Sequence, residues 1–264
     1  MNYPKLSHFC NIDHIYTSCD CKLIKKKRPM KKLVIILLCT AVTMSVSAQR
    51  WKTVKAEGPI VKKERSIEGF SSIDVSTGID VYLTQGKSSK LTVETEKNLH
   101  EYIQTEVRGD VLHVFTKVNI KDSKSKKVYV TMDVINSLSA SSAGDIIGES
   151  AMNAGDIELE ASSAGDIRLE LNAKSVMVDC SSAGDINLEG KAGYLKASVS
   201  SAGDLNAGDF KVKEAKVSAS SSGNIRVNVS DKLYARASST GDVRYTGDPE
   251  VDAKSSSAGS VKRK

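Results

Sequence analysis

Apolar and polar residues alternate along the second half of the chain, and the alternation keeps the same phase from one segment to the next. Val176, Val178 and Cys180 are followed by Ser-Ser-Ala-Gly-Asp and then by Ile186 and Leu188. Aligned on the glycine, the later segments supply columns: Val176, Leu195, Ala215, Leu233 and Val251; then Val178, Ala197, Val217, Ala235 and Ala253; then Cys180, Val199, Ala219, Ala237 and Ser255. A further column, Ile167, Ile186, Leu205, Ile225, Val243 and Val261, follows the Gly-Asp. Period two within a segment predicts strand, and the common phase predicts strands stacked in parallel.

The glycines Gly144, Gly165, Gly184, Gly203, Gly223, Gly241 and Gly259 mark the repeat, with steps of 19, 19, 20, 18 and 18 residues from Gly165 onward. Gly155-Asp156 falls off this spacing and splits the first interval into 11 and 10. A unit of 18–20 residues with two alternating segments is too short for a propeller blade and lacks the leucine pattern of a leucine-rich repeat. The fold class expected is all-β: a single-domain parallel β-helix, or solenoid, of 18–20 residues per coil. At ~3.3 Å per residue the coil perimeter is about 60 Å, and each coil rises ~4.8 Å. No coil can bury its own apolar face, so stacking makes the core.

Residues 140–264 are therefore read as the repetitive solenoid and 65–139 as irregular N-terminal β coils of the same stack, with 49–64 as a linker. FSSIDVSTGIDVYLTQG (70–86) alternates like the coils, TEVRGDVLHVF (105–115) reads as strand, turn and strand, and VYVTMDVINSL (128–138) leads into the first Gly-Asp.

Continued alternation through Val178, Cys180, Ser182, Gly184 and Ile186 would place Ser182 and Gly184 inward at a bend, with glycine also accepting positive φ there. The seven glycines are accordingly expected as structural turns. The same phase sends the aspartates outward as a ladder, in which neighbours ~5 Å apart repel by about 0.8 kcal/mol in water. Local side-chain-to-backbone hydrogen bonds are the expected compensation. Calcium bridging Asp166, Asp185, Asp204 and Asp242 is the alternative, although the period is twice that of calcium-binding nonapeptide rolls. Paired carboxylates at this spacing also suit a retaining glycosidase, but such a site needs one carboxyl set apart from its partner. Each copy here sits among Ser, Ala and Gly. No catalytic, cofactor or metal residue is assigned, and no cofactor is expected.

Composition changes meaning once the leader is removed. MKKLVIILLCTAVTMSVSAQR, from Met30, has basic, apolar and small-residue regions in the order of a secretory signal peptide, read as residues 30–48. Its apolar run is too short to cross a bilayer, which takes about 20 residues, and Leu37-Leu38 before Cys39 does not fit a lipidation signal. Residues 1–29 lie upstream of this leader and are read as a start codon placed too early. Eight of the 38 basic and two of the 32 acidic residues precede Gln49, so the net charge of +6 falls to zero. That removes the case for a nucleic-acid partner. Of five cysteines only Cys180 remains, in an inward column, which excludes an internal disulfide framework and suggests a buried, inert thiol.

Three further signals have structural and functional readings. Arg108-Gly109-Asp110 is an integrin-type tripeptide or a hairpin turn. Lys117, Lys121, Lys124, Lys126 and Lys127 form a basic loop, either solvated or touching an anionic glycan or lipid surface. Tyr194, Phe210, Tyr234 and Tyr245 are the only aromatic platforms for a sugar within the repeats.

In combination, GFSSIDVSTGIDVYLTQG, the SSAGDI-like copies and the closing STGDVRYTGDPEVDAKSSSAGSVKRK resemble the head GIN domain family, auto-transporter adhesins of Gram-negative bacteria, over residues ~65–264. The resemblance implies a β-helical extracytoplasmic domain without an established activity. The expected function is a non-enzymatic exported envelope or surface protein, adhesin-like, binding a glycan or cell-surface protein. The alternatives are a purely structural envelope solenoid and a carbohydrate-active enzyme. The location expected is periplasmic, outer-surface or secreted, with no transmembrane span in the mature chain.

Overall fold

The computed structural model describes residues 51–264, so the readings of residues 1–29 and 30–48 lie outside it. The four regular coils are carried by the long strands Asp166–Cys180, Asp185–Val199, Asp204–Ala219 and Asn224–Ala237. Each leaves a tight turn along one face, here called face B, bends at a soft corner, and returns along the opposite face A to the next turn. Pairing is parallel and in register: Asp166, Asp185, Asp204, Asn224, Asp242 and Ser260 stand beside one another. The inward columns bury Val176, Leu195, Ala215 and Leu233, and likewise Ile167, Ile186, Leu205, Ile225 and Val243. Alternation within a strand and identity of phase between strands therefore produce one continuous core.

The turns close by a hydrogen bond from each glycine N–H to the carbonyl three residues earlier, at 2.8–2.9 Å, for Gly144, Gly165, Gly184, Gly203, Gly223, Gly241 and Gly259. Positive φ falls on the two residues before each glycine: 51° at Ser182 and 60° at Ala183, for example. This is a type I′ turn, whose two central residues both need φ > 0. The expected inward Ser182 is in fact exposed, because the left-handed pair breaks the pleat. Gly184 is needed for a different reason. A Cβ there would lie 2.7 Å from the carbonyl carbon and oxygen of Ala161 on the preceding rung, and at Gly165 the distance to Ala140 is 2.5 Å.

A left-handed conformation costs a non-glycine residue about 1–2 kcal/mol. The stack holds it in place because the turns bond to one another: Ala164 N–H donates to Ser182 O (3.2 Å) and Ala183 N–H to Ser201 O (3.1 Å). Gly155, by contrast, lies at the soft corner opposite the turns, exposed and with no atom within 4 Å of where its Cβ would be. Its position half a coil away accounts for the offset spacing.

The N-terminal end is built differently. Ser72–Val75 lies between Ser137–Ala140 and Val111–Thr116, parallel to both. Asp80–Gln85 lies in the same way between Asp145–Gly148 and Lys126–Met132. The outermost parallel rung is thus later in the sequence than the rung beneath it. Three antiparallel strands finish this end. Lys90–Glu96 pairs with Lys126–Met132 and Ile60–Arg65 pairs with Lys90–Glu96, while Ile103–Arg108 pairs with Val111–Thr116. Residues 51–64 are accordingly no linker: Thr53–Lys55 pairs with Asn119–Lys121, and Ile60–Arg65 joins the main sheet. No helix among the described residues is long and apolar enough to cross a membrane.

Candidate functional site

The aspartate column runs Asp80, Asp145, Asp166, Asp185, Asp204, Asn224, Asp242, Ser260 along the first outward position of face B. Burial pushes the carboxyls of Asp145 and Asp185 above the usual range, and neighbouring aspartates push them further. Asp204 is raised by burial alone, against the pull of Arg226 and of a hydrogen bond from Asn224. The offsetting partners are side chains on this or adjacent rungs. Arg168 donates to Asp166 at 2.6 Å, Arg244 pairs with Asp242 at 2.9 Å, and Ser260 Oγ donates to Asp242. Among the described residues, no three His, Cys, Asp or Glu side chains converge as a metal site. Asp166, Asp185, Asp204 and Asp242 are strung along the stack rather than gathered.

The other sequence signals find mainly structural places. Gly109-Asp110 is the two-residue loop of a hairpin, with φ 65° at Gly109 and with Arg108 paired to Glu106. The lysine-rich loop is pinned from inside: the buried Glu96 carboxylate accepts from Lys124 N–H at 2.7 Å and from Ser123 Oγ at 2.9 Å. The Cys180 thiol is buried and donates to Gly184 O at 2.8 Å; burial pushes its pKa up to about 12, which removes the thiolate at neutral pH. Of the aromatic candidates Phe210 is fully buried and Tyr245 packs against the core, whereas Tyr234 is 44% exposed.

Tyr234 and the half-buried Tyr194 belong to face A, where the outward residues of successive strands line an open trough of about 970 Å³. Met177, 41% exposed, lies between them and the acidic end. Glu158, Glu160 and Asp179 occupy that end; Lys196 shares the central rung with Tyr194, Glu214 and Lys216 stand on the next, and Arg236 is beside Tyr234 on the one beyond. Arg236 is held by Asp252 on the next rung at 3.1 Å. Exposed aromatic and thioether groups interspersed with side chains of both charge signs offer apolar anchors and polar partners on one surface. The outward columns could have been read from the same alignment that revealed the inward ones, by following the polar positions instead of the apolar ones.

A tight turn at every coil, a parallel in-register core and a solvent-facing trough define a β-solenoid of the kind found in adhesin-like proteins. Residues 69–249 match the family described as "Putative auto-transporter adhesin, head GIN domain", and the chain belongs to that family. Among solved structures it is similar to a "putative adhesin" of Bacteroides fragilis, with TM-score 0.75 and 21% identity over 80% of this chain and 99% of that one. It is also similar to a "putative adhesin" of Parabacteroides distasonis, with TM-score 0.65 and 23% identity over 80% and 100%. A third, a "putative lipid binding protein" of the same species, has TM-score 0.61 and 20% identity over 80% and 99%. These likenesses concern the fold. No curated protein matches the sequence.

Proposed function

We propose that the protein is an exported, non-enzymatic adhesin-like module that binds a glycan or protein partner through the trough of face A. The observation that carries this reading is the presence of Tyr194, Tyr234 and Met177 on one solvent-facing sheet, interspersed with side chains of both charge signs. Aromatic faces suit sugar rings or apolar side chains, and the charged neighbours suit hydroxyls and ions better than an acyl chain. The non-enzymatic part is supported by the placement of the ladder carboxyls: they are strung along face B, outside the trough, and flanked by Ser, Ala and Gly.

The test is a glycan array together with binding to intact cells, comparing the purified protein with Tyr234→Ala and Tyr194→Ala. A loss of about tenfold or more in affinity, with unchanged melting, supports the trough. Binding that survives both substitutions places the partner elsewhere, and sugar release abolished by Asp185→Asn would replace the reading with an enzyme.

A further inference from the structure

The register of face A carries more than the presence of a trough. Each rung presents three outward positions, and the rungs are aligned residue by residue. Two rungs before the Tyr194 rung these positions hold Asp156, Glu158 and Glu160, and two rungs after it Lys232, Tyr234 and Arg236. All but Arg236, which is half-buried, are exposed.

Consider a two-fold axis lying in the plane of the face and running along the Tyr194 strand. It turns the face onto a second copy while keeping each position along the strand. Asp156 then meets Lys232, Glu158 meets the Tyr234 hydroxyl, and Glu160 meets Arg236. One rung closer to the axis, Ser175 meets Glu214, Met177 meets the Lys216 stem, and Asp179 meets Ser218. Lys196, on the axis, is the single charge that meets its own kind. By symmetry every off-axis pair occurs twice.

Resting on the reading of face A as the binding surface, we propose that its partner is a second copy of this chain, docked antiparallel about this axis. The match is particular to face A. Applied to face B at the Asp185 strand, the same operation sets Asp166 against Asp204 and Asp185 against itself, so carboxylates face carboxylates. Acidic and basic rungs placed symmetrically about the Tyr194 strand, with the outermost Asp252 and Lys254 opposite Ser137 and Ser139, make the surface complementary to itself only when reversed, which is the isologous arrangement of a two-fold dimer.

The available area is adequate. From Ser137 to Asp252 the middle column spans seven rungs. At ~4.8 Å per rung and ~20 Å of strand this gives about 680 Å² per copy, or about 1,400 Å² in all, within the standard range for specific interfaces. Twisted sheets pack face to face at about 30°, which displaces the charged rungs two from the axis by about 5 Å along the strand, within reach of lysine, arginine and glutamate side chains, and the outermost by about 7 Å. Two shallow troughs in contact leave room for bridging water, as transient interfaces do. The reversal also points the two N-terminal ends in opposite directions, which suits copies displayed on two facing surfaces.

Sedimentation velocity of the purified protein across the micromolar range tests the proposal. The expected result is a monomer–dimer equilibrium that weakens as salt is raised. Asp156→Lys and Lys232→Asp each place two like-charge contacts in the dimer and should raise its dissociation constant about tenfold or more. Combined, they should restore it to within about threefold of the original. Both sites are exposed, and an unchanged circular-dichroism melt confirms folding. A monomer at every concentration overturns the proposal, as does a double variant no better than the single ones. A monomer that still binds a glycan through Tyr234 removes this inference and leaves the proposed function standing. A dimer that ignores every glycan and foreign cell keeps the inference and narrows the function to self-recognition.

Discussion

The regular coils and the N-terminal end stack on one axis but are held by different forces. In the coils, stability comes from repetition. Small and branched side chains fill the inward columns, each turn bonds to the next, and most outward residues are free of strong pairing. At the N-terminal end the rungs differ in length, so the polar side chains do the fastening. Arg65 reaches the carbonyls of His100 and Ile103 at 2.7 and 2.8 Å, Glu94 takes Lys62 at 3.1 Å, and Tyr82 stacks on Tyr129 at 5.2 Å under Lys127 and Lys62. Regularity lets backbone and sterics carry the coils; irregularity demands individually satisfied polar groups.

The sharpest way to break the coils is at a turn. Gly184→Val drives side-chain atoms into the Ala161 backbone and should cost about 3 kcal/mol in urea denaturation, while Gly155→Ala should change stability by no more than about 0.5 kcal/mol. Equal losses at both sites would mean that glycine serves local flexibility rather than contact between rungs.

Acid should separate the two regions. Burial raises the Glu96 carboxyl, but hydrogen bonds from Lys124 N–H, Ser123 and Thr95 outweigh it, and the net shift is downward; Glu94 is likewise held down by Ser125, Lys62 and Tyr129 against burial. Stability from these groups is present above the unfolded value of about 4.3 and is lost as pH falls through the lower folded value. The ladder behaves oppositely. Asp145, Asp185 and Asp204 bind protons more readily folded than unfolded, so their coils gain stability as pH falls through the raised folded values, the gain being complete below about 3.9. Hydrogen exchange at neutral and acid pH should therefore show protection falling at Lys124 and Ser125 relative to the coils. A uniform change across the molecule would contradict this assignment.

Smaller effects sharpen the account of the turn. Ala183→Gly relieves a left-handed alanine and should stabilise the protein by about 1 kcal/mol in thermal unfolding; a loss would mean that the Ala183 methyl makes contacts worth more than the strain. Asp185→Asn, which copies the natural Asn224, should stabilise by about 0.5 kcal/mol through reduced repulsion. Added calcium should leave melting unchanged in both forms. A calcium-dependent rise abolished by Asp185→Asn would restore the metal alternative.

Much of this architecture was legible before any coordinates. The columns through Val176 and Ile167 are the observed register, because a strict period of two repeated in one phase leaves a single way to stack. The turn glycines were legible too, but not their reason, since sequence cannot tell positive φ from close approach when Ser-Ala adopts the rarer conformation. The N-terminal end is legible only as irregular coils. Its strands alternate like the others, but nothing in the pattern of Ile60–Arg65 or Lys90–Glu96 distinguishes an antiparallel partner from a parallel one. The outward columns of face A are legible in the same way: Asp156, Glu158, Glu160 and Lys232, Tyr234, Arg236 stand in register in the alignment itself.

The order of the first rungs bears on how the chain can assemble. Residues 72–85 are flanked by 111–132 on one side and 137–148 on the other, so the earliest parallel rung gains its first neighbour only about forty residues later and its second about sixty residues later. Loop closure favours early pairing in the Ile103–Thr116 hairpin and among the later repeats, whose neighbours follow within about twenty residues, with residues 72–85 enclosed only after the chain has passed them.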